Sequence, residues 1–164
     1  MRIRHLLLGA ALVFSLAANA PAQSEGKTFT HHAGGLTFTL PDGWTAEPDG
    51  EQITAAPPDG GISIVFWVAE EKDFDAASEA LGTELGKQIK NLKLDGEPKE
   101  GTHNGMEFST VKGSGQIDGH DIVFSADLLA AKKPVIILSF GTAEGLHKYA
   151  EQYGHLLASI KKID

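Results

Sequence analysis

The stretch Ile62-Ser63-Ile64-Val65-Phe66-Trp67-Val68 decides the fold. In an extended strand, Ile62, Ile64, Phe66 and Val68 fall on one face, and Val65, Trp67 and Ala69 on the other, because side chains alternate with period two. A strand that is apolar on both faces is central in its sheet and covered from both sides. Residues 135–140 repeat the pattern, with Ser139 the one polar exception. Two such strands require two covering layers. Two stretches of helical periodicity supply them. In residues 73–92, Phe74, Ala77, Leu81, Leu85, Ile89 and Leu92 recur at three and four, with Asp73 placed as N-cap. In residues 142–162, Leu146, Tyr149, Ala150, Tyr153, Leu156, Leu157 and Ile160 form one apolar face and Thr142 is the cap. Lys161 and Lys162 stand at the end of this second helix, where the helix dipole favours cations.

Turn signals divide the rest. Leu36, Phe38 and Leu40 alternate with Thr37 and Thr39 as a half-buried strand. Pro41-Asp42-Gly43 turns the chain into Trp44, which closes a core edge. Asp49-Gly50 predicts a hairpin into residues 52–56, and residues 57–61 form another turn. Asn104-Gly105 and Asp118-Gly119 separate strands near 97–103, 106–116 and 120–130. Lys132-Lys133-Pro134 turns the chain once more. The expected fold class is α+β: an antiparallel meander sheet of about six to eight strands sandwiched by two long helices.

The chain opens with an export leader. Arg2, Arg4 and His5 make a positive start, residues 6–18 are apolar, and Ala20 and Ala22 supply the small residues of a cleavage site. The expected cut follows Ala22, leaving residues 23–164 as a single domain. The apolar run is too short for a span, which needs roughly 20 residues, so no stable membrane insertion is expected after cleavage. The chain has no cysteine. Lipid attachment at a mature N-terminal cysteine and disulfide stapling are therefore both excluded.

Charge narrows the partners. The formal net charge is −8, with 22 acidic side chains. The only arginines, Arg2 and Arg4, lie in the leader, so the processed chain is more acidic still. A surface without guanidinium and rich in carboxylates is a poor nucleic-acid binder, since phosphate contacts need dense positive charge. Cationic, neutral or metal-ion partners fit better.

The layout resembles the PsbP-like family, which shares its fold with the nuclear Ran-binding Mog protein. The residues that carry the resemblance are Phe38, Leu40, Pro41 and Trp44, the strand 62–68 feeding the helix at Asp73, and the end of the chain. There, strand 135–140 leads to a helix with Tyr149, Tyr153, Leu157, Ser159 and Ile160. The resemblance implies an α/β/α sandwich and an adaptor or accessory role. In the family some members bind proteins, and the plant photosystem members assist a manganese cluster. The matching positions are structural and carry no catalytic or binding residue across.

Candidate chemistry is sparse. On the last helix His147, Glu151 and His155 are spaced by four. Residues eight apart on a helix lie about 12 Å apart along the axis, whereas metal bonds are about 2 Å long, so at most one adjacent pair shares an ion. His120, beside Asp118 and Asp121 at a turn, is a further candidate ligand. His31 and His32 are adjacent in a strand and point to opposite faces. His103 stands beside the other hairpin turn. Gly113-Ser114-Gly115 is not a nucleophile elbow, and no glycine-rich phosphate loop opens a helix after a strand. Asp127 stands out as an acid inside an otherwise apolar strand, either at an exposed edge or buried at a site.

These observations predict a non-catalytic binding or accessory module, periplasmic or secreted, with a protein partner in the envelope and no cofactor. The alternative is a histidine-based binder or chaperone of a divalent transition metal. A third reading, a hydrolase, requires Asp127, a histidine and a serine to converge within hydrogen-bond reach.

Overall fold

The computed structural model describes residues 26–163; the expected leader lies outside the described residues. In chain order the elements are β1 (Thr28–His31), β2 (Leu36–Thr39), β3 (Thr45–Asp49), β4 (Gln52–Ala56) and β5 (Ile62–Val68). Then come α1 (Phe74–Gln88), β6 (Lys90–Leu94), β7 (Lys99–His103), β8 (Met106–Ile117), β9 (His120–Ala130) and β10 (Pro134–Gly141). The chain finishes with α2 (Ala143–Lys148), α3 (Ala150–Ser159) and β11 (Lys161–Lys162). The large sheet has eight strands in the order β3-β4-β5-β10-β9-β8-β6, with β7 also paired to β8. Every pairing in it is antiparallel. A second sheet of three strands, β1-β2-β11, completes the α+β fold.

The two doubly apolar strands lie side by side in the middle of the large sheet, with Ile137 opposite Phe66. Alternation sorts the side chains of β10 into two cores, whereas β5 is fully buried on one face only, Val65, Trp67 and Val68 being half-buried. Ile136 and Leu138 join Phe124, Ala126 and Leu128 against Ala77, Leu81, Leu85 and Ile89 from α1 and its C-terminal end. Val135 and Ile137 join Ile62, Ile64 and Phe66 against Leu36 and Phe38 of β2 and Tyr149, Leu156 and Ile160 from the last helical segments. Phe38 stacks on Phe66 with centroids 4.2 Å apart.

Both helices differ from the expectation of two long ones. The first keeps its start: the Asp73 carboxylate accepts from the Ala76 N–H at 2.9 Å. It stops at Gln88, because Ile89 is extended and Asn91 takes the left-handed conformation with φ 53°. Residues 90–94 pair with β8 instead. Glycine makes that approach possible. A Cβ at Gly113 would sit 2.1 Å from the Lys93 carbonyl oxygen, and one at Gly115 2.3 Å from the Ile89 side chain.

The second helical stretch also keeps its cap, the Thr142 hydroxyl accepting from the Gly145 N–H at 3.0 Å. It is interrupted at Tyr149 (φ −100°, ψ 7°) and ends at Ser159. Tertiary bonds fix that end. Ser159 Oγ accepts from the Thr39 N–H at 2.8 Å, and the Asn104 amide donates to the carbonyls of Ala158 and Ile160 at 3.2 and 2.8 Å. Lys161 and Lys162, read as the charged end of a helix, pair with β2 as a strand. The result is three helices among the described residues, with the small sheet sharing one face with the last two.

Ile137 is fully buried at the centre of one core. Replacing it with alanine should cost about 2–5 kcal/mol, read as a lowered urea midpoint with unchanged slope. Gly145 abuts Gly61, where a Cβ would lie 2.1 Å from the Gly61 carbonyl oxygen. Gly145→Ala should therefore destabilise, although alanine is the better helix former.

Candidate functional site

The register across the large sheet places Ile53, Phe66, Ile137, Asp127 and Thr110 in one row on the face under α3. Three apolar side chains are thus followed by a carboxylate. Tyr153 of α3 reaches down to it, and its hydroxyl donates to Asp127 Oδ2 at 2.8 Å. Thr110, Lys112 and His103 lie around the carboxylate. Burial pushes the Asp127 carboxyl up, and those donors and charges pull it back in part. Tyr153 is raised well above an ordinary phenol, first by burial and then by the adjacent Asp127 charge. A recess of about 140 Å³ opens over Asp127, walled by His103, Phe108, Leu157 and Ile160.

A second polar cluster lies at the other end of the helical segment. Asp59, in the turn before β5, accepts from Lys148 Nζ and the Tyr149 hydroxyl, both at 2.5 Å, and from the Gly61 N–H at 3.2 Å. The Lys148 bond, the Tyr149 bond and the Gly61 bond together lower its pKa to about 2. The same contacts raise Lys148 and Tyr149. Trp44 packs edge-on to Tyr149, and its indole N–H donates to Gln152 at 2.6 Å. This cluster pins α2 and the start of α3 to the sheet. It accounts for the interruption at Tyr149, whose ring and hydroxyl are held from opposite ends.

The candidate metal ligands among the described residues fall on separate elements. His147 falls in α2, on the far side of the interruption from Glu151 and His155, which remain one turn apart in α3. All three are exposed. His120 opens β9 on the surface, and its neighbour Asp121 already accepts from Gln116 at 2.8 Å. Among the described residues no group of three or more histidine or carboxylate side chains is gathered as a metal site. His31 is a buried structural group: Nε2 donates to the Glu51 carbonyl at 2.6 Å and Nδ1 accepts from the Gly34 N–H at 3.2 Å. His32 lies in the turn after β1 rather than in the strand. The hydrolase geometry is not assembled. Asp127 bonds to Tyr153, Ser139 Oγ donates to the Ser125 carbonyl, and His103 meets the Asn104 amide.

Asp127 was legible as an acid in an apolar strand. Its partner Tyr153 was not, because tyrosine at helical spacing reads as core. Asp59, Lys148 and Tyr149 carried no signal, since 89 and 90 residues separate Asp59 from its two partners.

No protein-family model matches the chain, and no curated protein does. Solved structures do. LpqN, involved in cell envelope biogenesis of Mycobacterium tuberculosis, superposes with a TM-score of 0.61 at 12% identity, covering 85% of this chain and 86% of that one. CyanoP, the cyanobacterial PsbP of Synechocystis sp. PCC 6803, gives 0.59 at 9% identity over 94% of this chain and 98% of its own. A Bacteroides thetaiotaomicron protein gives 0.58 at 12% identity, over 85% of this chain and 49% of that one. The chain has a PsbP-like fold, and at these identities the likeness is one of fold alone.

The two acidic groups respond to pH with opposite sign. The Asp59 pKa is depressed in the folded state, so its contribution is present above the unfolded value and lost as pH falls from about 4 towards 2. Asp127 is raised, so the folded state holds its proton more tightly and stability declines as pH rises through the window above the ordinary carboxylate value. In melting temperature against pH, Asp59→Asn should flatten the acid limb. Asp127→Asn should remove the decline above it and melt no lower than the parent at neutral pH.

Proposed function

We propose that the protein is exported to the periplasm or beyond, loses residues 1–22, and works there as a non-catalytic accessory module through contact with a protein partner. The observation that supports this most is the end-to-end likeness to CyanoP, 94% of this chain on 98% of that one. LpqN, a further structural neighbour, is described as involved in cell envelope biogenesis. Envelope placement also follows from the basic, apolar, small-residue order of the first 22 residues, and no helix among the described residues is long and apolar enough to cross a membrane. The Mog-type kinship read from the sequence belongs with this proposal.

The surplus of acidic side chains favours a partner with a basic surface rather than a nucleic acid. Cross-linking of the tagged protein in its native envelope, followed by affinity capture, should recover one reproducible partner. Capture without cross-linker should weaken as salt rises from about 0.1 to 1 M, where the screening length falls from about 10 to 3 Å. The proposal fails if repeated captures share no protein while a substrate screen shows turnover. The metal-binding alternative now rests on Glu151 with His155, one turn apart on an exposed helix. Calorimetric titration with zinc, copper and manganese should give heat that His155→Ala abolishes if that alternative holds.

A further inference from the structure

We infer that the recess over Asp127 is an anchor pocket for a lysine side chain presented by a partner protein, an inference that rests on the partner-binding reading above. Size is the first argument. The recess holds about 140 Å³, a few water volumes at about 30 Å³ each, whereas pockets for small-molecule ligands run to about 300–1,000 Å³. It is sized for one side chain.

Its chemistry selects which one. Phe108, Leu157 and Ile160 are apolar walls, and Asp127 is the one carboxylate among the lining residues. An extended chain of methylenes ending in a cation matches both features, since lysine lays its stem along apolar surface and keeps its charge at the tip. Tyr153 already takes an acceptor position on the carboxylate. An arginine fork needs both oxygens presented together, while an ammonium is a point charge that needs one. The groups that face Asp127 are Tyr153 from α3, Thr110 and Lys112 from β8, and His103 from β7. Lys112 is exposed, so its ammonium keeps its water.

The contrast with Asp59 sharpens the case. That carboxylate has its own lysine at 2.5 Å, whereas no salt bridge within the chain is formed by Asp127 among the described residues. Asp127 is half-buried; a partly desolvated charge without an ionic partner is costly, and a lysine arriving from outside would relieve that cost at the moment of binding.

The test uses n-butylammonium chloride as the probe, followed through the backbone amide resonances of the purified protein. Saturable shifts should concentrate at Phe108, Thr110, Asp127, Tyr153 and Leu157. Asp127→Asn, which keeps the shape and removes the charge, should weaken them at least tenfold, and n-butanol should not produce them. Tyr153→Phe, which frees an acceptor position, should keep saturable binding. Shifts that persist in Asp127→Asn, that n-butanol reproduces, or that spread over the acidic surface without saturating would overturn the inference. So would tighter binding of n-butylguanidinium. Affinity capture separates this inference from the reading beneath it. If parent and Asp127→Asn recover the same partner equally well, the anchor is wrong and the partner reading stands. If neither recovers one, the partner reading itself has failed.

Discussion

The first six residues of strand β10 are buried on both of its faces. Val135, Ile136 and Ile137 are fully buried and Leu138 is 2% exposed. Because successive side chains point to opposite sides, each pair of neighbours needs a different cover. α1 supplies one; the other is assembled from α2, α3 and the three-stranded sheet. A strand with both faces apolar, placed at the centre by its pairing to β5 and β9, therefore dictates a three-layered interior without any cysteine to reinforce it.

The two covers are held differently. α1 rests on an apolar stripe with an N-cap. The opposite cover is a patchwork, and polar bonds of long sequence separation tie its parts down. Tyr149 and Lys148 meet Asp59, Trp44 meets Gln152, Ser159 meets Thr39, and Asn104 meets the end of α3. Where such a cover crosses the apolar row of the sheet, the row breaks at Asp127. A carboxylate there is expensive unless something answers it. Tyr153 answers it with a hydrogen bond but without charge. The recess beside it is the place where the interior remains open to an outside group.

Much of the architecture was legible because its cause is local. Asn104-Gly105 and Asp118-Gly119 form the hairpins their composition predicts, with Asn104 and Asp118 in the left-handed conformation. Asp73 and Thr142 cap the helices they precede. The failures share one cause as well. Ile89 and Leu92 continue a helical stripe, yet the chain leaves the helix because β8 offers glycines against which an edge strand can lie. Ile160 continues another stripe, yet the helix ends where Ser159 and Asn104 bind backbone from distant strands. In both places the apolar residue is buried as expected, in a different conformation.

Sequence alone determined most of the apolar residues that are inside, where the sheet has its centre and where the turns fall. Those properties depend on side-chain period, turn chemistry and composition, all of which are local or additive. Only the tertiary structure decided where the helices stop, and that Asp59 meets its lysine while Asp127 meets a tyrosine. Those outcomes depend on which distant backbone or side chain completes a hydrogen bond, and pairings separated by tens of residues leave no trace in local pattern.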